Sequence, residues 1–236
     1  MNETNRRRCV IVGGAPILDY DNVISHLRED DWFVFCDCGL KHLQKLREAA
    51  ETADRAGIAP DLIVGDFDSY ENPAGDAAGN AVADAVETIV LPTVKDETDT
   101  AFAASEALRR GFRDFLIIGA VGARIDHTMV NISLLYKLHQ AGCCAVLLDD
   151  FEEMTIAAKE PSYIDGSFKY FSLFNMFGPS RGITITGAKY NLSGAEITPD
   201  TQYATSNEVA PGETACVTVG EGALLLIKIS REMSDC

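Results

Sequence analysis

The segment Pro60-Asp-Leu-Ile-Val-Gly-Asp-Phe-Asp-Ser69 joins a short apolar run to a glycine and two carboxylates. A short apolar run bounded by turn-forming residues is typical of a strand that is buried on both faces. If the chain stays extended beyond the strand, Asp66 and Asp68 point to the same side, because residues two apart share a face. We therefore predict a strand with paired acidic side chains at its carboxyl end. A polar turn whose carboxylates cap backbone amides is the alternative.

Runs of the same kind recur along the first 150 residues and alternate with helical patterns. The predicted strands are residues 9–12, 32–35, 62–64, 88–91, 115–118 and 144–148. The spacing of apolar residues predicts one helix from about residue 21 and others over 40–50, 98–110 and 130–139. Such alternation predicts an α/β fold, a doubly wound, mostly parallel sheet with helices on both faces. Sheets of this class bind ligands outside the carboxyl ends of their strands.

The helical period disappears after about residue 153, where glycine and proline separate short β-like runs. These runs are residues 168–174, 183–186, 188–192, 215–219 and 223–229. The pattern predicts an all-β domain, either a sandwich or a barrel. We therefore expect an α/β domain over residues 1–152 and a β domain over residues 153–236.

The composition excludes several classes of function. The formal net charge is −16, from 36 acidic and 20 basic side chains, which argues against binding to nucleic acid or an anionic membrane. No apolar run reaches the roughly 20 residues that span a bilayer. The seven cysteines are odd in number and form no pair of C-x-x-C motifs, which favours a reducing compartment. We expect a cytoplasmic protein, and a phosphate substrate only if a metal ion neutralises it.

Further acidic residues follow other predicted strands. Asp37 comes after the second strand, and Lys95-Asp-Glu-Thr-Asp99 lies between the fourth strand and a helix. Asp96, Thr98 and Asp99 are good residues for capping that helix, whose N-terminal amides could also bind phosphate. Carboxylates gathered at one sheet edge are the oxygen ligands that Mg²⁺ prefers.

The segment Gly119-Ala-Val-Gly-Ala-Arg-Ile-Asp-His-Thr128 also lies between a strand and a helix. Arg124 could bind phosphate oxygens with its planar fork, and Asp126 could accept a hydrogen bond from a hydroxyl or cap the helix. The chain has no P-loop, no G-x-G-x-x-G fingerprint and no G-x-S-x-G elbow. The motifs therefore predict a site for metal and phosphate chemistry that uses none of these three motifs.

These residues together resemble the thiamine pyrophosphokinases (thiamine diphosphokinases). The matching pieces are Gly13-Gly14, Asp37-x-Gly39, Pro60-Asp61, Gly65-Asp-Phe-Asp-Ser69, Lys95-Asp96-x-Thr98-Asp99, Gly122-x-Arg124-x-Asp126-His127 with Asn131, Gly187-x-Lys189-Tyr190 and Thr205-Ser-Asn-Glu208. The matching pieces occur in the same order and with the same spacing as in the family, and they span nearly the whole chain. The resemblance implies transfer of the pyrophosphoryl group of ATP to the hydroxyl of thiamine, giving thiamine diphosphate and AMP. It also implies a C-terminal β-sandwich and a homodimer whose sites are shared between subunits.

The resemblance also implies roles for individual residues. The implied Mg²⁺ ligands are Asp66, Asp68 and Asp99. The implied catalytic residues are Asp68, Asp99, Arg124 and Asp126. The implied ATP-binding residues are Gly13, Asp37, Asp96, Thr98 and Arg124. Ser206 and Asn207 would hold the thiamine pyrimidine, and Tyr203 is a candidate aromatic partner. Cys38 stands where the family often has glycine, close to the expected path of the phosphates.

Three alternatives remain open at this stage. A related pterin pyrophosphokinase would share the α/β domain but not Ser206 and Asn207. A phosphatase of the haloacid dehalogenase class would use Asp66 as a nucleophile, although that class usually carries its D-x-D motif in the first strand. A non-catalytic sensor of thiamine or nucleotide would bind without turnover.

Overall fold

The computed structural model describes residues 7–55, 57–67, 86–93, 96–122 and 124–230. The chain divides into two compact units, Met1–Asp150 and Phe151–Cys236, which we call the α/β unit and the β unit. No helix among the described residues has both the length and the hydropathy needed to cross a bilayer.

The α/β unit contains six strands and four α-helices in its described part. The strands are β1 (Cys9–Val12), β2 (Trp32–Cys36), β3 (Leu62–Gly65), β4 (Thr88–Val90), β5 (Asp114–Ile118) and β6 (Cys144–Leu148). The helices are α1 (Tyr20–His26), α2 (Leu43–Thr52), α3 (Asp99–Arg109) and α4 (Ile125–Gln140), and a 3₁₀ turn, Asp37–His42, precedes α2. All strand pairs in the order β4-β3-β2-β1-β5-β6 are parallel.

Helices cover both faces of this sheet. On one face, Val10, Phe35 and Leu116 share a buried cluster with Ile24 of α1 and Leu46 of α2. On the other face, α3 contacts β1, β2 and β3. The alternate strand residues are therefore buried as well, and β1 and β2 are buried along their whole length. The predicted doubly wound sheet is confirmed.

The strand order reverses beside β1. The chain moves outward from β1 to β4 and then returns, so that β5 pairs with the free side of β1. Val12 lies opposite both Phe35 and Ile118, so the carboxyl ends of β1, β2 and β5 are level. Ligands bind at such reversals, because the loops that leave neighbouring strands diverge there and open a crevice.

The β unit is a sandwich of two antiparallel sheets. Its strands are β7 (Glu152–Ala157), β8 (Ser162–Ile164), β9 (Tyr170–Phe174), β10 (Ser180–Thr186), β11 (Leu192–Ile197), β12 (Ala215–Thr218) and β13 (Leu224–Ile229). They form the sheets β7-β13-β9 and β11-β10-β12-β8. Side chains from both sheets, such as Leu173 and Ile183, meet in one buried core. The predicted all-β fold of this unit is confirmed.

Several details differ from the sequence predictions. The helix expected over 130–139 begins at Ile125, because polar residues in its first turn hide the apolar period. The helix expected over 40–50 is a 3₁₀ turn up to His42 and an α-helix after it. The strand expected over 188–192 is a turn, in which Asn191 Oδ1 accepts a hydrogen bond from the Ala188 amide at 3.1 Å.

Candidate active site

Three carboxylates converge at the carboxyl edge of the parallel sheet. Asp37 begins the 3₁₀ turn that follows β2, Asp66 follows β3, and Asp99 is the first residue of α3. One oxygen from each lies within 4.8 Å of the others. Asp37 is 6% exposed, and the other two are half-buried. The parallel topology causes this, because neighbouring strands end at the same edge.

Glycines let the backbone approach this cluster closely. A Cβ on Gly65 would lie 2.8 Å from the Cβ of Asp37, so only glycine allows β3 to end beside that carboxylate. A Cβ on Gly13 would lie 2.5 Å from the carbonyl oxygen of Gly119. Gly13, an expected ATP-binding residue, therefore joins the ends of β1 and β5, beside Gly14, which lines the site.

The donor set fits a hard divalent cation. Three carboxylates at this spacing repel one another, and a bound cation removes that repulsion. All three donors are oxygen atoms, which suits Mg²⁺ and not a thiophilic metal. Asp37, which the resemblance associated with the triphosphate, is thus a member of the cluster itself.

The expected partner Asp68 lies outside the described residues. The sequence argument for pairing it with Asp66 assumed an extended chain after β3. That assumption was wrong, because β3 ends at Gly65 and Phe67 has a φ of 57°, in the left-handed region. The chain turns immediately after Asp66.

A pocket of about 620 Å³ opens over the cluster. Its described lining residues are Gly14, Ala15, Pro16, Cys36, Asp37, Cys38, Asp66, Thr93, Asp96, Glu97, Thr98, Asp99, Thr100, Gly119, Ala120, Gly122, Arg124, His127, Thr128 and Asn131. Asp96 and Thr98 are therefore on the wall of the site. Thr98 also caps α3, since its hydroxyl accepts a hydrogen bond from the Ala101 amide at 3.3 Å. The N-terminus of α3 faces this pocket with the positive end of its dipole.

Arg124 and Asp126 form an ion pair at the start of α4. Arg124 Nε donates to Asp126 Oδ1 at 3.0 Å, and a second hydrogen bond joins Nη2 to Oδ2. Hydrogen bonding by Arg124 holds the pKa of the Asp126 carboxyl well below its usual range. Both side chains are exposed, at 71% and 61%. Arg124 lines the pocket, and its guanidinium is accessible to an anion there.

The loop after β1 is held by two residues that sequence reasoning missed. Lys41 Nζ donates to the carbonyl of Gly14 at 2.5 Å, and His42 Nε2 donates to the carbonyl of Ala15 at 2.8 Å. The other nitrogen of His42 accepts a hydrogen bond from the Tyr20 hydroxyl at 2.8 Å. Burial lowers the pKa of His42 and keeps it neutral, as this arrangement requires. Lys41-His42 lies two residues after Asp37-x-Gly39, and this closeness was the available signal in the sequence.

The two expected thiamine-binding residues of the β unit differ sharply in their surroundings. Asn207 is 3% exposed. Its side-chain amide donates to the carbonyl of Tyr190 at 2.8 Å, and its Oδ1 accepts from the amides of Tyr190 and Glu208 at 3.0 and 2.9 Å. Ser206 is exposed, with a φ of 52°. The side chain of Asn207 thus holds a turn together, while that of Ser206 faces solvent.

The candidate aromatic residue Tyr203 lies at the surface of the β unit. It is 48% exposed, and its hydroxyl donates to the carbonyl of Glu196 at 2.8 Å. Tyr190 is more exposed, at 59%, and Lys189 lies over its ring.

Comparison with known proteins gives a consistent result for both units. A model described as "Thiamin pyrophosphokinase, catalytic domain" matches residues 24–147, and one described as "Thiamin pyrophosphokinase, vitamin B1 binding domain" matches residues 153–224. The thiamine pyrophosphokinase of Bacillus subtilis (strain 168) is 30% identical over 175 residues, which cover 73% of this chain and 80% of that protein.

Solved structures have the same fold over nearly the full length. The crystal structure of thiamine pyrophosphokinase from Bacillus subtilis superposes with a TM-score of 0.82 at 24% identity, covering 96% of this chain and all of that one. The thiamin pyrophosphokinase from Geobacillus thermodenitrificans gives a TM-score of 0.78 at 27% identity, with coverages of 95% and 98%.

Proposed function

This chain belongs to the thiamine pyrophosphokinase family, and on that premise we propose that it transfers the pyrophosphoryl group of ATP to the hydroxyl of thiamine. The products are thiamine diphosphate and AMP. The observation that carries the proposal is the carboxylate cluster of Asp37, Asp66 and Asp99 at the carboxyl edge of the parallel sheet. It lies in the unit that matches the catalytic-domain model, and the other unit matches the vitamin B1 binding model.

The reaction needs positioning and charge neutralisation more than covalent help from the protein. The hydroxyl oxygen of thiamine forms a bond to the β-phosphorus of ATP, the bond from that phosphorus to the α-phosphate oxygen breaks, and the hydroxyl proton is released. Asp37, Asp66 and Asp99 would hold Mg²⁺, with Asp68 as a further ligand implied by the family. When bound, Mg²⁺ supplies positive charge to the phosphate oxygens.

The α/β unit offers further groups for the phosphates. The N-terminal amides of α3, beside Asp96 and Thr98, can donate to phosphate oxygens, because those amides lack partners within the helix. Arg124 can bind phosphate with its planar fork. Its pair with Asp126 is exposed to solvent, which weakens the attraction between the two groups, so a phosphate can displace it at small cost.

Asp126 suits an orienting role in this proposal. Its carboxylate is exposed at the start of α4, where it can accept a hydrogen bond from the thiamine hydroxyl. Ser206 is the residue of the β unit that we propose for thiamine. Its exposed hydroxyl is accessible, whereas the side chain of Asn207 is already engaged.

Homodimerisation with shared sites and a cytoplasmic location belong to the same proposal. The dimer follows from the family resemblance and the location from the cysteine usage of the sequence, and the cysteines that the structure describes are free of disulfides. Light scattering at the assay concentration tests the dimer, and a fully active monomer would contradict it.

The decisive experiment incubates the protein with thiamine, ATP and Mg²⁺ and quantifies AMP and thiamine diphosphate. Equal amounts of the two products support the proposal, whereas ADP with thiamine monophosphate would overturn it. A parallel reaction with a hydroxymethylpterin tests the pterin alternative, which the vitamin B1 binding match disfavours. Binding of both substrates without any product would identify a sensor, and a phosphoenzyme on Asp66 would identify a phosphatase.

A further inference from the structure

Cys38 lies between two parts of the candidate site. Its thiol donates a hydrogen bond to Asp37 Oδ2 at a sulfur–oxygen distance of 3.3 Å. The residue is half-buried, follows Asp37 in the 3₁₀ turn and lines the same pocket as the three carboxylates.

Its other neighbour is the loop after β1. A Cβ on Gly14 would lie 2.7 Å from the Cβ of Cys38, so these two residues are in direct contact. The same Gly14 accepts the hydrogen bond from Lys41, which lies in the same 3₁₀ turn. Cys38 is thus packed against the loop on one side and bonded to the carboxylate on the other.

We propose that Cys38 is a positioning residue, which holds the Asp37 carboxylate in the orientation that binds a divalent cation together with Asp66 and Asp99. The terminal torsion of an aspartate is broad, so a donor on one carboxylate oxygen narrows the orientations that the group samples. The thiol of Cys38 supplies such a donor. A glycine at this position would supply none. This inference rests on the cation site of the proposed function.

The first test measures Mn²⁺ affinity on the intact protein, without substrates, by electron paramagnetic resonance of free Mn²⁺. Cys38→Ala should raise the dissociation constant about fivefold, a small effect for a charged acceptor because a thiol is a weak donor. Cys38→Ser, which keeps a donor, should bind within about twofold of the wild type. Cys144→Ser is the matched control, since that thiol is exposed at the start of β6.

The second test uses the contact with Gly14. Gly14→Ala should lose Mn²⁺ affinity and activity, because its new methyl group would meet Cys38. Cys38→Gly removes that obstacle and leaves main-chain contacts at 3.4 and 3.5 Å, which are ordinary. The double variant Gly14→Ala/Cys38→Gly should therefore bind Mn²⁺ as Cys38→Gly alone does. This readout also applies if Cys38→Ala folds poorly.

The outcomes separate the two proposals. Wild-type affinity in Cys38→Ala, or equal weakening in Cys38→Ser and Cys38→Ala, would overturn the positioning role alone. Additive losses in the double variant would overturn the proposed contact. A wild-type protein that makes thiamine diphosphate and binds Mn²⁺ leaves the proposed function intact in all these cases, whereas a wild type that binds no Mn²⁺ would overturn the cation site itself.

Discussion

In the α/β unit, three carboxylates lie within 4.8 Å of one another, whereas in the β unit the buried polar side chains bond to each other and to the backbone. Asn207, for example, donates to the carbonyl of Tyr190 at 2.8 Å and accepts from the amides of Tyr190 and Glu208 at 3.0 and 2.9 Å. Like charges at close range cost stability, and a satisfied neutral network adds to it. The comparison indicates that the first arrangement serves a ligand and the second serves the fold.

The largest expected effect is on catalysis. Asp66→Asn should lower turnover about 10²- to 10³-fold, the range for loss of one group that stabilises transition-state charge. Its free energy of unfolding should stay equal or rise, because one of the three repelling charges is removed. Steady-state kinetics at saturating Mg²⁺ and urea denaturation measure the two quantities.

Glu51→Gln makes the same charge change at an exposed position of α2 and should alter neither quantity. An Asp66→Asn protein that is destabilised but keeps its turnover would show that the carboxylate cluster serves the fold and not a ligand.

The next effect is on the stability of the β unit. Asn207→Ala should cost about 2–3 kcal/mol, since it removes the three hydrogen bonds of a buried side chain to the backbone of Tyr190 and Glu208. Ser206→Ala, at the exposed neighbouring position, should change stability by less than about 0.5 kcal/mol. Urea denaturation of both variants checks this. If the Asn207→Ala protein has normal stability and a raised KM for thiamine, the side chain of Asn207 binds thiamine and does not stabilise the fold.

The carboxylate cluster and the turn around Asn207 show what the sequence could and could not predict. The parallel sheet followed from apolar runs that alternate with helical patterns, and strand ends located Asp37, Asp66 and Asp99. The order of strands did not follow from the sequence, because register and pairing are long-range properties. The membership of Asp37 in the cluster depended on that order.

Local backbone conformation was equally out of reach. The left-handed Phe67 ended the extended geometry on which the Asp66–Asp68 pairing relied, and left-handed residues other than glycine have only a weak sequence signal. The resemblance implies a thiamine-binding role for Asn207, and that role stays a prediction. Its burial, and with it the hydrogen bonds of its side chain to the backbone of Tyr190 and Glu208, depends on tertiary packing.

A smaller effect concerns a charge that does serve the fold of the α/β unit. Glu106 on α3 pairs with Arg109 at 2.6 Å and Arg110 at 2.7 Å, and these bonds, that of Arg109 foremost, lower its pKa from 4.5 to about 2. A lowered carboxyl pKa stabilises the fold above pH 4.5 and loses that contribution as the pH falls towards 2.

Relative to Glu106→Gln, the wild type should be more stable at pH 6 by about 1–2 kcal/mol, a figure reduced for screening by solvent at the arginines. About half of this difference should be gone at pH 3. Chemical denaturation of both proteins between pH 6 and 3 tests this. A difference that does not depend on pH would show that the side chain acts by packing alone.

The smallest expected effect is at Ser206, where a substitution distinguishes a contribution to stability from a contribution to thiamine binding. Ser206→Gly should raise stability by about 0.5 kcal/mol, because glycine adopts the left-handed conformation of this position without steric cost. Thermal unfolding measures the gain. If thiamine use also weakens, the strained serine is retained for its hydroxyl. Unchanged thiamine use would remove Ser206 from the proposed site.

The close approach of Gly13 and Gly65 to neighbouring strands determines how this pocket could be re-engineered. A side chain at either glycine would collide with a residue that lines the pocket, Gly119 in the case of Gly13 and Asp37 in the case of Gly65. A library that randomises those positions would recover few folded clones. New acceptor alcohols are better sought by varying Thr93 and Glu97, which line the pocket at exposed positions of the rim.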